Sequence, residues 1–342
     1  MKRFASILFV FLFLAGSGVG STHAQVLGTL ATVSISLSPE HPQPGQQVTA
    51  TVSVASEDVR AATIVWLLNS ALEEQGPGQT TFTFTAGSVN TSQTIGVLVK
   101  TRSGQTLSKT LTIRPSQVTL VWEADTYTPA FYRGRALYSS GSTIRVEAIP
   151  YFVNIQGRRY DASELIYTWS RNITVLGNQS GVGRSSLVTQ GPKFFGTDII
   201  SVEVSTPDGT QVARSAAQIR TIDPTVTLYE RDPLLGTLYF RAITSSYTFG
   251  GSSQFEVQAV PYFMDAKNEN SDALQYSWRV NNTSVAGLRE APSILNIRLD
   301  SEEDIDTRIN VVIDHARHLL QTAKGSLRVS FEGSARNSLF GL

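Results

Sequence analysis

The residues Val146–Phe152, VEAIPYF, return as Val257–Phe263, VQAVPYF, 111 positions further along the chain. Two shorter stretches return with nearly the same offsets, 108 and 109 positions: Val118–Leu120 as Val226–Leu228, and Tyr167–Trp169 as Tyr276–Trp278. A nearly constant offset of this size indicates that one structural unit is present twice. The small differences between the offsets indicate that the two copies have loops of unequal length.

A first, more divergent unit precedes the two copies. Its Trp66 lies 103 positions before Trp169, and Gly104 follows Trp66 after 38 positions as Gly209 follows Trp169 after 40. Three units of about 106 residues each fill the chain after residue 24. The predicted domains are residues 25–115, 116–223 and 224–333, with a tail at 334–342.

Apolar residues alternate with polar ones in many short runs, as in Val48, Ala50, Val52 and Val54. Successive side chains of a strand point to opposite faces, so each run predicts a strand with one buried and one exposed face. Short strands of this kind, separated by turns that contain glycine, are typical of antiparallel β-sandwiches. The recurring tryptophans are predicted to fill the space between the two sheets of each sandwich: Trp66, Trp169 and Trp278.

The pattern around each tryptophan resembles the immunoglobulin-like and PKD-like modules of bacterial surface proteins. A Tyr-x-Trp or Val-Trp is followed by a hairpin with an asparagine, a V-x-V strand and a glycine turn; the asparagines are Asn69, Asn172 and Asn281. The resemblance implies an all-β fold of three tandem immunoglobulin-like (PKD-like) β-sandwich domains, and the whole arrangement is similar to envelope proteins of candidate-phylum bacteria. Two features depart from the family pattern, because the chain has no cysteine pair and no Gly-Asp-Gly turn after the tryptophan.

The N-terminal residues predict export. Lys2 and Arg3 precede an apolar run from Phe4 to Ala15, and small residues lead to Ala24, which is the layout of a cleaved secretory signal peptide at residues 1–24. The protein is therefore expected to be secreted or held at the cell envelope. After this segment no stretch has the roughly 18 apolar residues of a membrane span. The 28 basic and 28 acidic residues balance, so we expect no charge-driven binding of nucleic acid.

Residues that could carry catalysis are scarce. No stretch assembles a nucleophile, a base and an oxyanion donor, so we expect no enzyme, no cofactor and no metal site. His315 and His318 form an H-x-x-H pair, but zinc needs three or four converging ligands, and a solvated loop or short helical turn is predicted there. The acidic run at 300–306 lacks the spacing of a calcium loop and is predicted to be a solvated loop.

Aromatic and arginine residues crowd the start of the second unit: Trp122, Tyr127, Phe131, Tyr132 and Arg133. Flat rings beside arginine supply apolar area at little entropic cost, which suits a surface that binds a carbohydrate or a protein. The same residues could instead seal the junction with a neighbouring domain. Repetition favours the junction, because the third unit also starts with aromatic residues, namely Tyr229, Tyr239 and Phe240.

These features lead to three functional hypotheses. The first is a non-catalytic extracellular structural or adhesive module, a semi-rigid spacer or scaffold of three sandwiches whose partner is an unknown protein or glycan at the cell surface, with end-to-end self-association as an option. The second is a ligand-binding module that uses the aromatic-rich starts of the second and third units. The third is a hydrolase whose catalytic residues the sequence does not single out. Short connections that contain proline favour the first.

Overall fold

The computed structural model describes residues 32–55, 58–89, 91–192, 194–250, 254–298 and 305–332. The predicted signal peptide at 1–24, the tail at 334–342 and the acidic run as far as residue 304 lie outside these ranges. Within the described ranges no helix is long and apolar enough to cross a membrane. The regular structure there consists of 24 strands and three short 3-10 helices, at Val59–Ala61, Ala162–Glu164 and Gly177–Gln179.

The first sandwich consists of two antiparallel sheets. One sheet has the order β1-β2-β5 and contains β1 (Val33–Ser38), β2 (Gln47–Val54) and β5 (Thr81–Thr85). The other has the order β4-β3-β6-β7 and contains β3 (Thr63–Leu68), β4 (Ala71–Pro77), β6 (Gln93–Lys100) and β7 (Thr106–Ile113).

The second sandwich repeats this plan. One sheet has the order β13-β9-β8 and contains β8 (Gln117–Ala124), β9 (Thr143–Tyr151) and β13 (Ser186–Gln190). The facing sheet has the order β11-β10-β14-β15, with β12 also paired to β10. Its strands are β10 (Ile166–Arg171), β11 (Thr174–Val175), β12 (Gly181–Val182), β14 (Thr197–Ser205) and β15 (Val212–Arg220).

The third sandwich has additional strands between its first strand and the strand that corresponds to β9. One sheet has the order β17-β16-β19-β22 and contains β16 (Thr225–Asp232), β17 (Gly236–Ile243), β19 (Gln254–Tyr262) and β22 (Ile294–Arg298). The other has the order β18-β24-β23-β20-β21. Its strands are β18 (Ser246–Gly250), β20 (Leu274–Val280), β21 (Thr283–Val285), β23 (Ile305–His315) and β24 (Thr322–Glu332). The pairing of β18 with β24 is parallel.

One tryptophan lies at the centre of each sandwich. Trp66, Trp169 and Trp278 are 0%, 0% and 1% exposed, and each belongs to a separate cluster of buried apolar residues. Each indole Nε1 donates a hydrogen bond to a backbone carbonyl of the facing sheet or its approach, over 2.8 to 2.9 Å; the acceptors are Gln79, Arg184 and Pro292. Because the only polar atom of the ring is satisfied, the whole side chain can be buried without a desolvation penalty.

An asparagine follows the tryptophan-bearing strand in each sandwich, as the sequence pattern predicts. Asn69, Asn172 and Asn281 have positive φ angles of 51°, 54° and 46°, a conformation that asparagine tolerates better than most residues. Each side-chain Oδ1 accepts a hydrogen bond from a backbone N–H of the adjacent strand; the donors are Thr94, Ile199 and Arg308. In all three sandwiches, therefore, the same hydrogen bond from the adjacent strand holds the hairpin turn against the sheet.

Three separate cores and six sheets in the described part of the chain establish the fold. In each sandwich the first strand and its neighbour face a sheet in which the tryptophan-bearing strand is central, which is the immunoglobulin-like arrangement. The chain therefore consists of three tandem immunoglobulin-like β-sandwiches. The domain boundaries predicted near residues 115 and 223 fall between β7 and β8 and between β15 and β16.

Candidate functional site

The connection between β8 and β9, residues 125–142, leaves the second sandwich and contacts the third. The backbone N–H of Tyr127 donates to the carbonyl of Met264 over 2.7 Å, and the N–H of Phe263 donates to the carbonyl of Tyr127 over 2.8 Å. Phe263 has a φ of 63°, which is uncommon for an aromatic residue. The two domains are thus joined by a reciprocal pair of main-chain hydrogen bonds, as in a short piece of sheet.

Phe131 extends the junction through its ring. Its centroid lies 4.6 Å from that of Tyr239 and 6.2 Å from that of Tyr229, both of the third sandwich. The contact with Tyr229 is edge-to-face, at 79° between ring planes. Phe131 remains 43% exposed and Tyr239 41% exposed, so this part of the junction forms a continuous aromatic surface at its outer edge.

Tyr132 makes a second pair of ring contacts across the junction. Its centroid lies 5.9 Å from that of Tyr262 and 5.6 Å from that of Phe263, and both contacts are edge-to-face. Gly134 permits the ring to lie where it does, because a Cβ at that position would come within 2.5 Å of the Tyr132 hydroxyl. Each aromatic pair of this geometry contributes about 0.5–1.5 kcal/mol beyond the area it buries.

A carboxylate anchors the inner side of the same loop. The hydroxyl of Tyr127 donates to Glu269 Oε2 over 2.7 Å, and Gln258 Nε2 donates to the other oxygen over 3.3 Å. Tyr276 donates its hydroxyl hydrogen to the backbone carbonyl of Glu269. Burial, followed by the hydrogen bond to Glu269, raises the pKa of Tyr127 well above its usual value, so the phenol is neutral in the folded protein.

The opposite side of the junction is held by polar contacts. Gln321 Nε2 donates to the carbonyl of Ser140 over 2.8 Å and contacts Ser142 Oγ at 3.0 Å. Gly141, with a φ of 89°, faces the ring of His318, and a Cβ there would come within 2.5 Å of Nδ1. The loop between β8 and β9 therefore touches the third sandwich at two separated places, its aromatic part and residues 140–142.

Next to this contact, Asp265, His315 and His318 bring their ligand atoms within 4.8 Å of one another. His315 is the last residue of β23 and is 3% exposed, so the solvated loop or short helical turn predicted for it is wrong. Its Nδ1 accepts hydrogen bonds from the N–H groups of Arg317 and His318, and its Nε2 contacts the carbonyl of Asp265 at 2.7 Å. Two N–H donors on Nδ1 require the hydrogen to be on Nε2, which then donates to Asp265.

Both ring nitrogens of His315 are therefore committed to the backbone. Burial lowers the pKa of His315, which favours the same neutral form. His318 Nε2 lies 3.0 Å from Asp265 Oδ2. Only Asp265 and His318 retain a side-chain atom that could bind a metal ion. The cluster is therefore better explained as a set of contacts that holds the β23–β24 turn against residue 265 than as a zinc site. The sequence did not show this cluster, since Asp265 lies 50 positions before His315.

The structure places the five residues of the sequence-predicted surface as follows. Tyr127, Phe131 and Tyr132 come together against the third sandwich, where they occupy the junction. Trp122 is 8% exposed and belongs to the core of the second sandwich, with the guanidinium of Arg135 3.9 Å above its ring. Arg133 is exposed on the loop.

The junction between the first and second sandwiches is built differently. Gln43 Nε2 of the first sandwich donates to the carbonyl of Arg214 of the second over 3.2 Å. In the connection between the two sandwiches, Ser116 Oγ donates to the carbonyl of Val212 over 3.2 Å. A cleft of about 670 Å³ lies between β1, β7 and residues 209–212 of the second sandwich.

Comparison with known proteins shows no family for this chain. No family model matches the chain, and no curated protein matches it. The three N-terminal domains of the highly immunogenic outer capsid protein of bacteriophage RB49 are 14% identical over 88% of this chain and 99% of that chain, with a TM-score of 0.27. The central fibronectin-III array of RIM-binding protein is 13% identical over 88% and 96%, with a TM-score of 0.31. Immunoglobulin domains 1–4 of Sidekick-1 are 12% identical over 87% and 74%, with a TM-score of 0.22. Since these TM-scores are low, the fold assignment depends on the sheets and cores described above.

Proposed function

We propose that this protein is a non-catalytic spacer or scaffold of the cell envelope or extracellular space, in which three sandwiches form a semi-rigid array. Export by the predicted signal peptide, a partner protein or glycan at the cell surface, and end-to-end self-association belong to the same proposal. The balanced charge suits a partner that is recognised by shape and hydrogen bonds and not by bulk charge.

The observation that carries the proposal is the junction between the second and third sandwiches. Tyr127 pairs with Phe263 and Met264 through the main chain, and Phe131 and Tyr132 each contact two rings of the third sandwich. Two kinds of contact on one loop fix both the distance and the orientation of neighbouring domains. An array fixed in this way can hold its two ends apart, which is what a spacer needs.

The connections support the same conclusion. Three residues separate β7 from β8, and four separate β15 from β16. Both connections contain a proline, Pro115 or Pro224, which restricts its own φ and the residue before it. Such connections are too short and too stiff for the free reorientation that Gly/Ser-rich linkers allow.

Small-angle X-ray scattering on the chain without its predicted signal peptide tests the proposal. We expect a profile that a single elongated conformer fits. A double variant, Phe131→Ala with Tyr132→Ala, removes four ring contacts across the junction and is expected to require an ensemble of orientations. The matched control is Tyr151→Ala, which removes an exposed tyrosine of the second sandwich whose ring packs against Arg159 of the same sandwich. A compact profile of the unaltered chain, or one that requires freely reorienting domains, would contradict the proposal.

A further inference from the structure

In the second and third sandwiches, the connection that follows the first strand pairs in parallel with the last strand or with a residue just after it. In the third sandwich this is β18, whose register runs from Ser246 opposite Arg328 to Gly250 opposite Glu332. In the second sandwich it is an isolated parallel bridge between Ser139 and Ile222. The N–H of Ile222 also donates to the carbonyl of Tyr138 over 2.9 Å.

Both connections bring an aromatic ring to the end of their sandwich. The ring of Tyr247 stacks on Phe255 with centroids 5.7 Å apart, and its hydroxyl donates to Glu230 over 2.8 Å. Tyr138 is fully buried in the core of the second sandwich, and its hydroxyl donates to the carbonyl of Pro192 over 2.7 Å. The ring of Tyr247 lies between the first and last strands of the third sandwich, because its hydroxyl contacts Glu230 of β16 while β18 pairs with β24.

The tryptophan hydrogen bonds relate the three sandwiches residue by residue. In each sandwich the indole hydrogen bond identifies an acceptor residue, and the residue three positions after this acceptor pairs with a fully buried residue of the neighbouring strand. That buried residue pairs in turn with one residue of the first strand. The first-strand residues that correspond in this way are Leu37, Trp122 and Glu230. Tyr247, which contacts Glu230, therefore occupies the space that corresponds to the surroundings of Leu37.

In the first sandwich no described residue fills this space. Only residues 39–46 connect β1 to β2, and the cleft of about 670 Å³ lies at the position that Tyr247 occupies in the third sandwich. Leu111 lines the cleft and is half-buried, whereas Leu327, at the corresponding position of β24, is 1% exposed. Ile35 is likewise half-buried, and its counterpart Leu228 is 3% exposed.

We propose that the cleft binds an extended peptide of a partner protein, which runs parallel to the end of β7 and places an aromatic side chain over Leu37. Within the described residues β7 pairs with β6 on one side only, so its outer main-chain groups can pair with an added strand. Pro115 has no N–H, which limits this pairing to the residues before it. Burial of the aromatic ring against Ile35, Leu37 and Leu111 therefore supplies most of the affinity.

The size and surroundings of the cleft agree with this occupant. Its volume lies within the range of about 300–1,000 Å³ that is usual for ligand sites, which also tend to occur between domains. The apolar walls are accompanied by His41 and Arg114, whose side chains offer polar contacts to the main chain of a peptide. The inference goes beyond the proposed spacer function, because a peptide can bind here whether or not the array is rigid.

Nuclear magnetic resonance of the chain without its predicted signal peptide, labelled at isoleucine and leucine methyl groups, tests the proposal. The probe is a synthetic peptide with the sequence of residues 244–250, TSSYTFG, which includes β18. We expect saturable shifts of the methyl signals of Ile35, Leu37, Leu111 and Ile113. The same peptide with the Tyr247→Ala change is expected to bind at least about tenfold more weakly, since a buried aromatic side chain supplies much of the affinity of such a peptide.

Two protein variants complete the test. Leu37→Trp places in the first sandwich the side chain that the second has at this position, and it is expected to fill the cleft and abolish the shifts. Ser34→Trp adds the same side chain on the exposed face of β1, at a residue that does not line the cleft, and is expected to bind the peptide like the unaltered chain. No saturable shift with the tyrosine peptide, or equal binding by the alanine peptide, would overturn the proposal. Methyl shifts in the free protein on removal of residues 333–342, or on dimerisation, would assign the cleft to the tail or a second copy and would overturn it too.

Discussion

Replacement of Tyr132 by alanine should loosen the junction between the second and third sandwiches without weakening either core. Tyr132 contacts Tyr262 and Phe263 across the junction, and it does not belong to the buried cluster of the second sandwich. Two edge-to-face pairs at about 0.5–1.5 kcal/mol each give an expected loss of about 1–3 kcal/mol in the free energy of opening the junction.

Amide hydrogen exchange measures this free energy at the junction itself. The N–H groups of Tyr127 and Phe263 donate across the junction, so their exchange reports its opening. A loss of about 1–3 kcal/mol corresponds to exchange about 5- to 150-fold faster at these two amides. Amides of the central strands, such as that of Trp169, should keep their protection, and the Tyr151→Ala control should change neither amide of the junction. Unchanged exchange at Tyr127 and Phe263 in the Tyr132→Ala variant would refute the reasoning, as would an equal acceleration throughout both domains.

Three further predictions concern the core, the pH dependence and the absence of thiols. Trp169→Ala should lower the free energy of unfolding of the second sandwich by about 3–5 kcal/mol in a denaturant titration, and a loss below 1 kcal/mol would contradict its central role. Because folding raises the pKa of Tyr127, the stability that its neutral phenol gives the folded protein is fully present below about pH 10 and is lost progressively as the pH rises above that value. The Tyr127→Phe variant should therefore show a smaller fall in melting temperature between pH 10 and pH 12 than the unaltered chain. The melting temperature should not respond to a reductant and should hardly respond to EDTA; a fall of many degrees on chelation would instead indicate a calcium site in the acidic run.

The repeat pattern was sufficient to predict the fold. Val146–Phe152 and Val257–Phe263 identify the same strand in two copies, and Trp66, Trp169 and Trp278 mark the centre of all three. These features are local: alternation specifies which face of a strand is buried, and a single large ring specifies where two sheets meet. The alternation and the tryptophan are retained in copies whose other residues differ, because each core must still be filled by apolar side chains.

The junction could be predicted only in outline. The aromatic residues at the start of the second unit indicated either a ligand surface or a domain contact, and the sequence did not show that Tyr127 would pair with Phe263 and Glu269, more than 130 positions away. The fastening of His315 to Asp265 was missed for the same reason, since loops of different strands meet only in the folded domain. The cleft at the end of the first sandwich could not be predicted from the sequence either. A short connection between two strands does not show which apolar residues of the folded domain it leaves uncovered.

The loop between β8 and β9 is synthesised before the part of the third sandwich that covers it. Synthesis proceeds from the N-terminus at about 5–20 residues per second, so the second sandwich emerges before the third. Phe131 and Tyr132 therefore exist as an uncovered aromatic surface until Tyr262 and Phe263 have been synthesised and folded. The second sandwich made alone would keep this surface permanently exposed, and the third would lack the loop that covers it. The junction between these two domains is therefore completed only after both of them have folded.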